Sequence, residues 1–232
     1  MVKCGLLASA ILLGGCSFPY VATGPMEHES KVIETGNFEM ARIELEMGAG
    51  ELHMQGGSPK LVEAKFDYNA PAWKPAVESN TSSFRAEIRI RQPPNTGNLG
   101  NTKYKWDIRL NDAVPMNIVT HLGAGEAEMN LGSLDLQNLE IHMGVGELRL
   151  DLRGTPKRDE TVEIHGGIGQ ATIRLPKEVG ITATAKGGIG DISVTGLERR
   201  DGRWVNQAYD RSPARIHLDV KGGIGNIQVI AE

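Results

Sequence analysis

The chain is poor in cysteine and aromatics, and it lacks an excess of positive charge. Its two cysteines, Cys4 and Cys16, leave everything beyond residue 16 without a disulfide framework. Aromatics make up 5% of 232 residues, and 25 Lys and Arg stand against 29 Asp and Glu with no basic stripe, a balance that speaks against nucleic acid. No helix-spaced apolar run occurs after residue 37, and neither Gly-x-Ser-x-Gly nor His-Glu-x-x-His is present. The small, apolar run from Gly5 to Gly15 has 11 residues, too short for a membrane helix of about 20. These absences point away from helical, nucleic-acid-binding and familiar hydrolytic proteins, and no cofactor is expected.

What the chain has is glycine in a pattern. Six copies of Gly-(Ala/Val/Ile)-Gly followed by an acid or amide start at Gly48, Gly123, Gly144, Gly167, Gly188 and Gly223, the last five spaced by 21, 23, 21 and 35 residues. A period near 21 is the signature of a repeat architecture. Apolar residues alternate before each motif (Leu139, Ile141, Met143) and after it (Leu148, Leu150, Leu152), the period of half-buried strands. Each unit thus reads strand, glycine corner, strand, second corner. The structural corners are Gly123 and Gly125, Gly144 and Gly146, Gly167 and Gly169, Gly188 and Gly190, and Gly223 and Gly225. Stacked in chain order, such units predict an all-β chain forming a single β-solenoid of the parallel β-helix kind.

Stacking turns equivalent positions into columns. The residues after the motifs, Glu51, Glu126, Glu147, Gln170, Asp191 and Asn226, are expected to accept hydrogen bonds from the corner amides; an acidic calcium-binding edge is the alternative. Two residues before each motif stand Glu46, His121, His142, His165, Lys186 and Lys221. Three imidazoles about one strand spacing apart make His121, His142 and His165 candidate zinc ligands, against the simpler reading of solvated surface histidines.

Two stretches interrupt the repeats. About 54 extra residues separate the first two motifs and hold Phe66, Tyr68, Trp73, Phe84, Tyr104 and Trp106, with a loop at Gln92–Asn98; they read as a cap of longer strands over residues 38–117, which includes the first repeat. Repeats then fill 118–232, apart from an insertion at 198–211 that carries an Asp201-Gly202 hairpin signal and reads as a protruding hairpin. Its Arg203, Trp204, Tyr209 and Arg211 are the residue types enriched at recognition surfaces and are the candidate partner-binding residues. The strand near Ile230 would be left as an open edge through which copies could stack into a homo-oligomer.

The N-terminus combines Met1-Val2-Lys3, the short apolar run and Leu13-Gly14-Gly15-Cys16, which resembles the lipobox of bacterial lipoprotein precursors. The resemblance implies a signal peptide at 1–15, acylation of Cys16, and a lipid-anchored tether over 16–37. Ser17 after the cysteine favours, by analogy with Gram-negative sorting, the periplasmic face of the outer membrane or the cell surface.

The iterated Gly-x-Gly-(Asp/Glu)-hydrophobic units over roughly residues 38–230 resemble the toast-rack DUF4097/DUF2154 β-solenoid families, the latter related to LiaF-type cell-wall-stress proteins. Those families are described as candidate adhesins or envelope-stress components without established catalytic residues. The resemblance therefore implies a non-enzymatic envelope protein whose partner is an envelope glycan or an envelope protein, with the membrane reached through the N-terminal lipid. A regulatory or scaffolding part in an envelope stress response is the alternative. A polysaccharide-cleaving β-helix enzyme is the reading from a different class, for which Glu198-Arg199-Arg200-Asp201 with Arg203 and Arg211 is the nearest concentration of charge.

Overall fold

A computed structural model describes residues 21–94 and 101–232. The proposed signal peptide, Cys16 and the loop tip at 95–98 lie outside the described residues. The strands are β1 (Glu27–Ile33), β2 (Met40–Gln55), β3 (Val62–Tyr68), β4 (Ala76–Thr81), β5 (Arg85–Arg91), β6 (Tyr104–Leu110), β7 (Met116–Asn130) and β8 (Leu136–Asp151). They continue as β9 (Glu160–Leu175), β10 (Gly180–Lys186), β11 (Ile192–Thr195), β12 (Glu198–Arg200), β13 (Arg203–Val205), β14 (Arg215–Lys221) and β15 (Ile224–Ala231). All join one open 15-stranded sheet, and a single 3-10 turn at Pro71–Trp73 is the only helical element among the described residues.

The glycine motifs meet one another in register. β2, β7, β8 and β9 run through their corners without a break and pair in parallel, so that Ala49, Ala124, Val145 and Ile168 are neighbours and Gly50, Gly125, Gly146 and Gly169 form a column. The second glycine of every motif has φ between +129° and +149°, a region that side chains avoid. A β-carbon on Gly125 would overlap the Gly50 carbonyl oxygen, and the same clash repeats up the column. Inward-facing residues on the two sides of each corner, such as Leu45 with Leu52 and Ile141 with Leu148, are buried in one continuous core.

Chain order and spatial order part company at the end. The motif at 223–225 pairs with the one at 167–169, and the motif at 188–190 lies outside it. The expected stacking in sequence order is thus corrected: β10 and β11 form the outer layer, and β14 and β15 return to fill the place beside β9. The 35-residue spacing supplies the chain needed to travel out and back, and β12 and β13 use part of it. Ile230 pairs with both Arg174 and Thr195, so the open edge expected there is occupied.

The opposite end is capped by the aromatic segment. β5 extends the first side of β2, and β6 extends its second side. Phe66 meets Trp106 edge to face with centroids 5.6 Å apart, Tyr104 lies tilted against Trp106 at 5.8 Å, Trp73 meets Tyr104 at 5.5 Å, and the Tyr104 hydroxyl donates to the Trp73 carbonyl at 2.7 Å. Trp73 and Trp106 are therefore core residues rather than a contact surface. Gln92 closes the glycine corner itself: its side-chain oxygen accepts from the amides of Gly48 (2.8 Å) and Ala49 (3.1 Å). The carbonyl of Gly223 does the same for Gly188 and Ile189, both at 3.0 Å. Residues 27–33, inside the span read as a tether, form β1 on the outer side of β3.

Gly125→Ala should cost about 2 kcal/mol or more in urea unfolding, because positive φ and the Gly50 carbonyl both oppose a side chain. Gly166→Ala, where a β-carbon meets nothing nearer than 4.0 Å, should change stability by no more than about 0.5 kcal/mol. Equal losses at both sites would remove the close approach as the reason for glycine.

Candidate functional site

Two polar columns flank the corner. On the side before the motif, the spatial order is Glu46, His121, His142, His165, Lys221, Lys186, with Arg91 beyond Glu46. The imidazoles stack: His121 and His142 have centroids 4.7 Å apart with planes 9° from parallel, and His142 and His165 are 5.0 Å apart at 8°. An imidazole lone pair lies in its ring plane, so three nearly parallel rings do not converge on one ion. Two of them find polar partners on their own strands: His142 Nε2 sits 2.6 Å from Glu140 Oε1, and His165 Nε2 is 3.8 Å from Glu163. The bond from His142 holds the Glu140 carboxyl below its usual range.

On the other side of the motif the order is Glu51, Glu126, Glu147, Gln170, Asn226, Asp191. These were expected to accept from the corner amides. Among the described residues the one such bond runs from the Asp191 amide to Asn226 Oδ1 at 3.4 Å, while Glu147 pairs with Arg149 at 2.8 Å. Neighbouring carbonyls take the corner amides instead, as for Gly223 to Gly166 (3.0 Å) and Gly225 to Ile189 (2.8 Å).

The hairpin β12–β13 turns at Asp201 and Gly202, whose φ values of 52° and 79° fit a tight two-residue connection. It folds back against β10, with Trp204 opposite Ala183 and Val205 opposite Thr182. Asn206 ties its base down, accepting from Ile181 at 2.9 Å and donating to the carbonyls of Lys177 (2.9 Å) and Val179 (2.6 Å). Trp204 is half-buried against the core, with the Arg199 guanidinium 5.7 Å from its ring. Tyr209 lies between the guanidinium groups of Arg200 (5.6 Å) and Arg215 (5.5 Å), and Arg200 also holds Asp210 at 2.9 Å. Arg203 and Arg211 are exposed, and among the described residues neither joins an ion pair. The four candidate residues thus share one edge, where two arginines are free and the two aromatics are already partly engaged.

The large carboxyl shift lies elsewhere. Glu160, at the start of β9, is 6% exposed and is pushed up to about 8 by burial and, secondarily, by the nearby Asp135. Asp135 is itself buried and holds the Arg158 guanidinium at 2.8 and 3.1 Å. Gln92 carries no periodic trace because it caps from outside the repeats; its place at the start of the loop is its only local mark.

The family model described as N-terminal domain of toast_rack, DUF2154, matches residues 22–174, and that described as cell wall-active antibiotics response LiaF, C-terminal, matches residues 123–229. Among solved structures, a "putative cell adhesion protein" from Clostridium sporogenes ATCC 15579 is 30% identical, with 90% of this chain and 100% of that one covered at a TM-score of 0.84. A "putative adhesin" from Bacteroides fragilis NCTC 9343 is 11% identical over 88% of this chain and 97% of that one, with a TM-score of 0.33. No curated protein matches.

With the folded pKa of Glu160 above its ordinary 4.5, the folded state holds a proton that the unfolded chain has lost between about pH 4.5 and 8. Its contribution to stability is present below that window and is lost as pH rises through it. Glu160→Gln should match the parent near pH 4.5 and exceed it by a few kcal/mol (on the order of 2–4) at pH 8.5 in urea unfolding. A variant advantage that does not grow with pH would contradict the buried, protonated carboxyl.

Proposed function

This chain belongs to the toast-rack, DUF2154 family, and from that premise we propose that it is a non-catalytic, lipid-anchored envelope protein that presents a rigid β-solenoid to a partner. The in-register parallel ladders that run unbroken through the corners at Gly48, Gly123, Gly144 and Gly167 support the solenoid reading. The anchor is Cys16, reached through the lipobox-like Leu13-Gly14-Gly15-Cys16, with residues 1–15 removed as a signal peptide. Two or more acyl chains on one residue suffice for stable attachment, which sets the chain in the cell envelope, at the periplasmic face of the outer membrane or at the surface.

The observation that carries the binding role is the arginine-rich edge around β12–β13. Arg203 on the hairpin and Arg211 in the turn that follows it stand free beside Trp204 and Tyr209, which Arg199, Arg200 and Arg215 brace. Guanidinium groups beside aromatic rings suit an envelope glycan bearing carboxylate or phosphate. The relative from Clostridium sporogenes, described as a "putative cell adhesion protein", is consistent with such a role. The second reading, a component of an envelope stress response working through a membrane-protein partner, is favoured by the LiaF C-terminal match over residues 123–229.

The test is retention of the protein on peptidoglycan and on anionic envelope polysaccharide, with released saccharide measured in the same tubes. The expected result is retention without release, weakened about tenfold in the Arg203→Ala/Arg211→Ala double variant. Released saccharide would replace this reading with an enzyme. The absence of both would turn attention to a protein partner.

A further inference from the structure

The six rungs of the corner differ systematically from one end to the other. In spatial order, the residues before, within and after the glycine pair are Glu46/Ala49/Glu51, His121/Ala124/Glu126, His142/Val145/Glu147, His165/Ile168/Gln170, Lys221/Ile224/Asn226 and Lys186/Ile189/Asp191. The first three rungs carry four acids and no Lys or Arg; the last three carry two lysines and one acid. The middle residue grows along the same axis from Ala through Val to Ile. These aliphatics point outward: Val145 is 50% exposed, Ile168 53%, Ile224 49% and Ile189 70%. With Ile192 they are five of the eight large hydrophobics exposed among the described residues.

A second column changes at the same place. The residue just before each motif is Met47, Leu122 and Met143 in the first three rungs, all buried. In the last three it is Gly166, Gly222 and Gly187. The missing side chains leave a shallow hollow of about 50 Å³ beneath the isoleucine ridge, walled by Met143, Leu148, Ile164 and Ile227. Apolar walls offer water few partners, so the hollow suits hydrocarbon. The first two rungs close the same corner with Ala49 and Ala124, so the stack does not by itself require a large aliphatic on the outside of a corner.

We propose that the three outer rungs form a membrane-contacting corner that seats on an anionic phospholipid surface. Ile168, Ile224 and Ile189 enter the boundary between headgroups and acyl chains, a methylene or two can occupy the glycine-floored hollow, and Lys186 faces lipid phosphates together with Lys221, which exchanges its 3.4 Å contact with Asp219 for them. Charge favours this occupant, because the negative half of the same ridge is where an anionic surface would be repelled. Width favours it over a second copy of the chain. The ridge is one side chain across and about 24 Å long over all six rungs, far short of the roughly 800 Å² per partner of a stable protein interface. This contact is separate from any acyl group on Cys16, which lies outside the described residues.

The test uses the full 232-residue chain carrying Cys4→Ser and Cys16→Ser, so that no acyl chain is attached. An environment-sensitive fluorophore is placed at Ile189→Cys or, at the far end of the ridge, at Ala49→Cys. With vesicles of phosphatidylcholine containing phosphatidylglycerol, the label at 189 should shift to the blue and be quenched by lipid-borne nitroxide, while the label at 49 should not. The Ile189→Ser/Ile224→Ser double variant changes only exposed side chains; it should keep the parent's thermal unfolding and partition at least about tenfold less. Lys186→Glu/Lys221→Glu should abolish the preference for phosphatidylglycerol. No shift at 189, equal shifts at both ends (adsorption through the apolar N-terminus included), or undiminished partitioning of the isoleucine variant would overturn the proposal. So would a dimer in sedimentation that the isoleucine variant abolishes, which would make the corner a self-association surface.

Discussion

Between one corner glycine and the next there is no room for a side chain. The carbonyl oxygen of Gly125 occupies the place a β-carbon of Gly146 would take, Gly169 is related to Gly146 in the same way, and so on to Gly190 at the outer end. This approach lets the backbone turn while its amides and carbonyls stay within hydrogen-bonding reach of the neighbouring rung. With the corners fixed, every inward residue on both sides is fixed too, because a strand cannot slip by one position without turning its apolar face outward. The core, the exposed columns and the ends of the ladder all follow from that constraint.

The ends are where a ladder is most exposed to unwanted pairing. At one end Gln92 supplies a side-chain oxygen in place of the missing rung's carbonyl, while β5 and β6 cover the strands to either side. At the other end β13 pairs with only two residues of β10, Thr182 and Ala183. Beyond that contact, β11 has a strand partner only on its β15 side among the described residues. Both surfaces singled out for binding, the arginine edge and the isoleucine corner, lie at this less covered end. The chemistry thus collects on the rungs farthest from the aromatic cap.

Much of this was legible in the sequence because period two and the glycine spacing are local signals. The all-β class follows from that alternation, and the strands flank or run through the positions of the six glycine motifs. The order of the last two rungs was not legible, since a spacing of 35 residues says that chain has been inserted but not which strand it returns beside. β1 was hidden in a segment of mixed polar residues whose alternation is weak, and pairing with β3 decides its state. The histidines were found as a column, but whether rings tilt together or stack flat depends on side-chain packing that spacing does not encode. The gradient along the corner becomes visible only when the rungs are placed in spatial order.

Beyond the rung that Gln92 closes, the corner amides are held by neighbouring rungs rather than by solvent. Amide hydrogen exchange tests it directly at Gly188, Ile189, Gly223 and Gly225, whose acceptors are carbonyls on adjacent rungs at 2.8–3.0 Å. These amides should exchange only through global unfolding, at the free energy of the core strands. Exchange at the rate of a solvated turn, with the flanking strands still protected, would show that the corners are loops between strands and that the ladder does not depend on them.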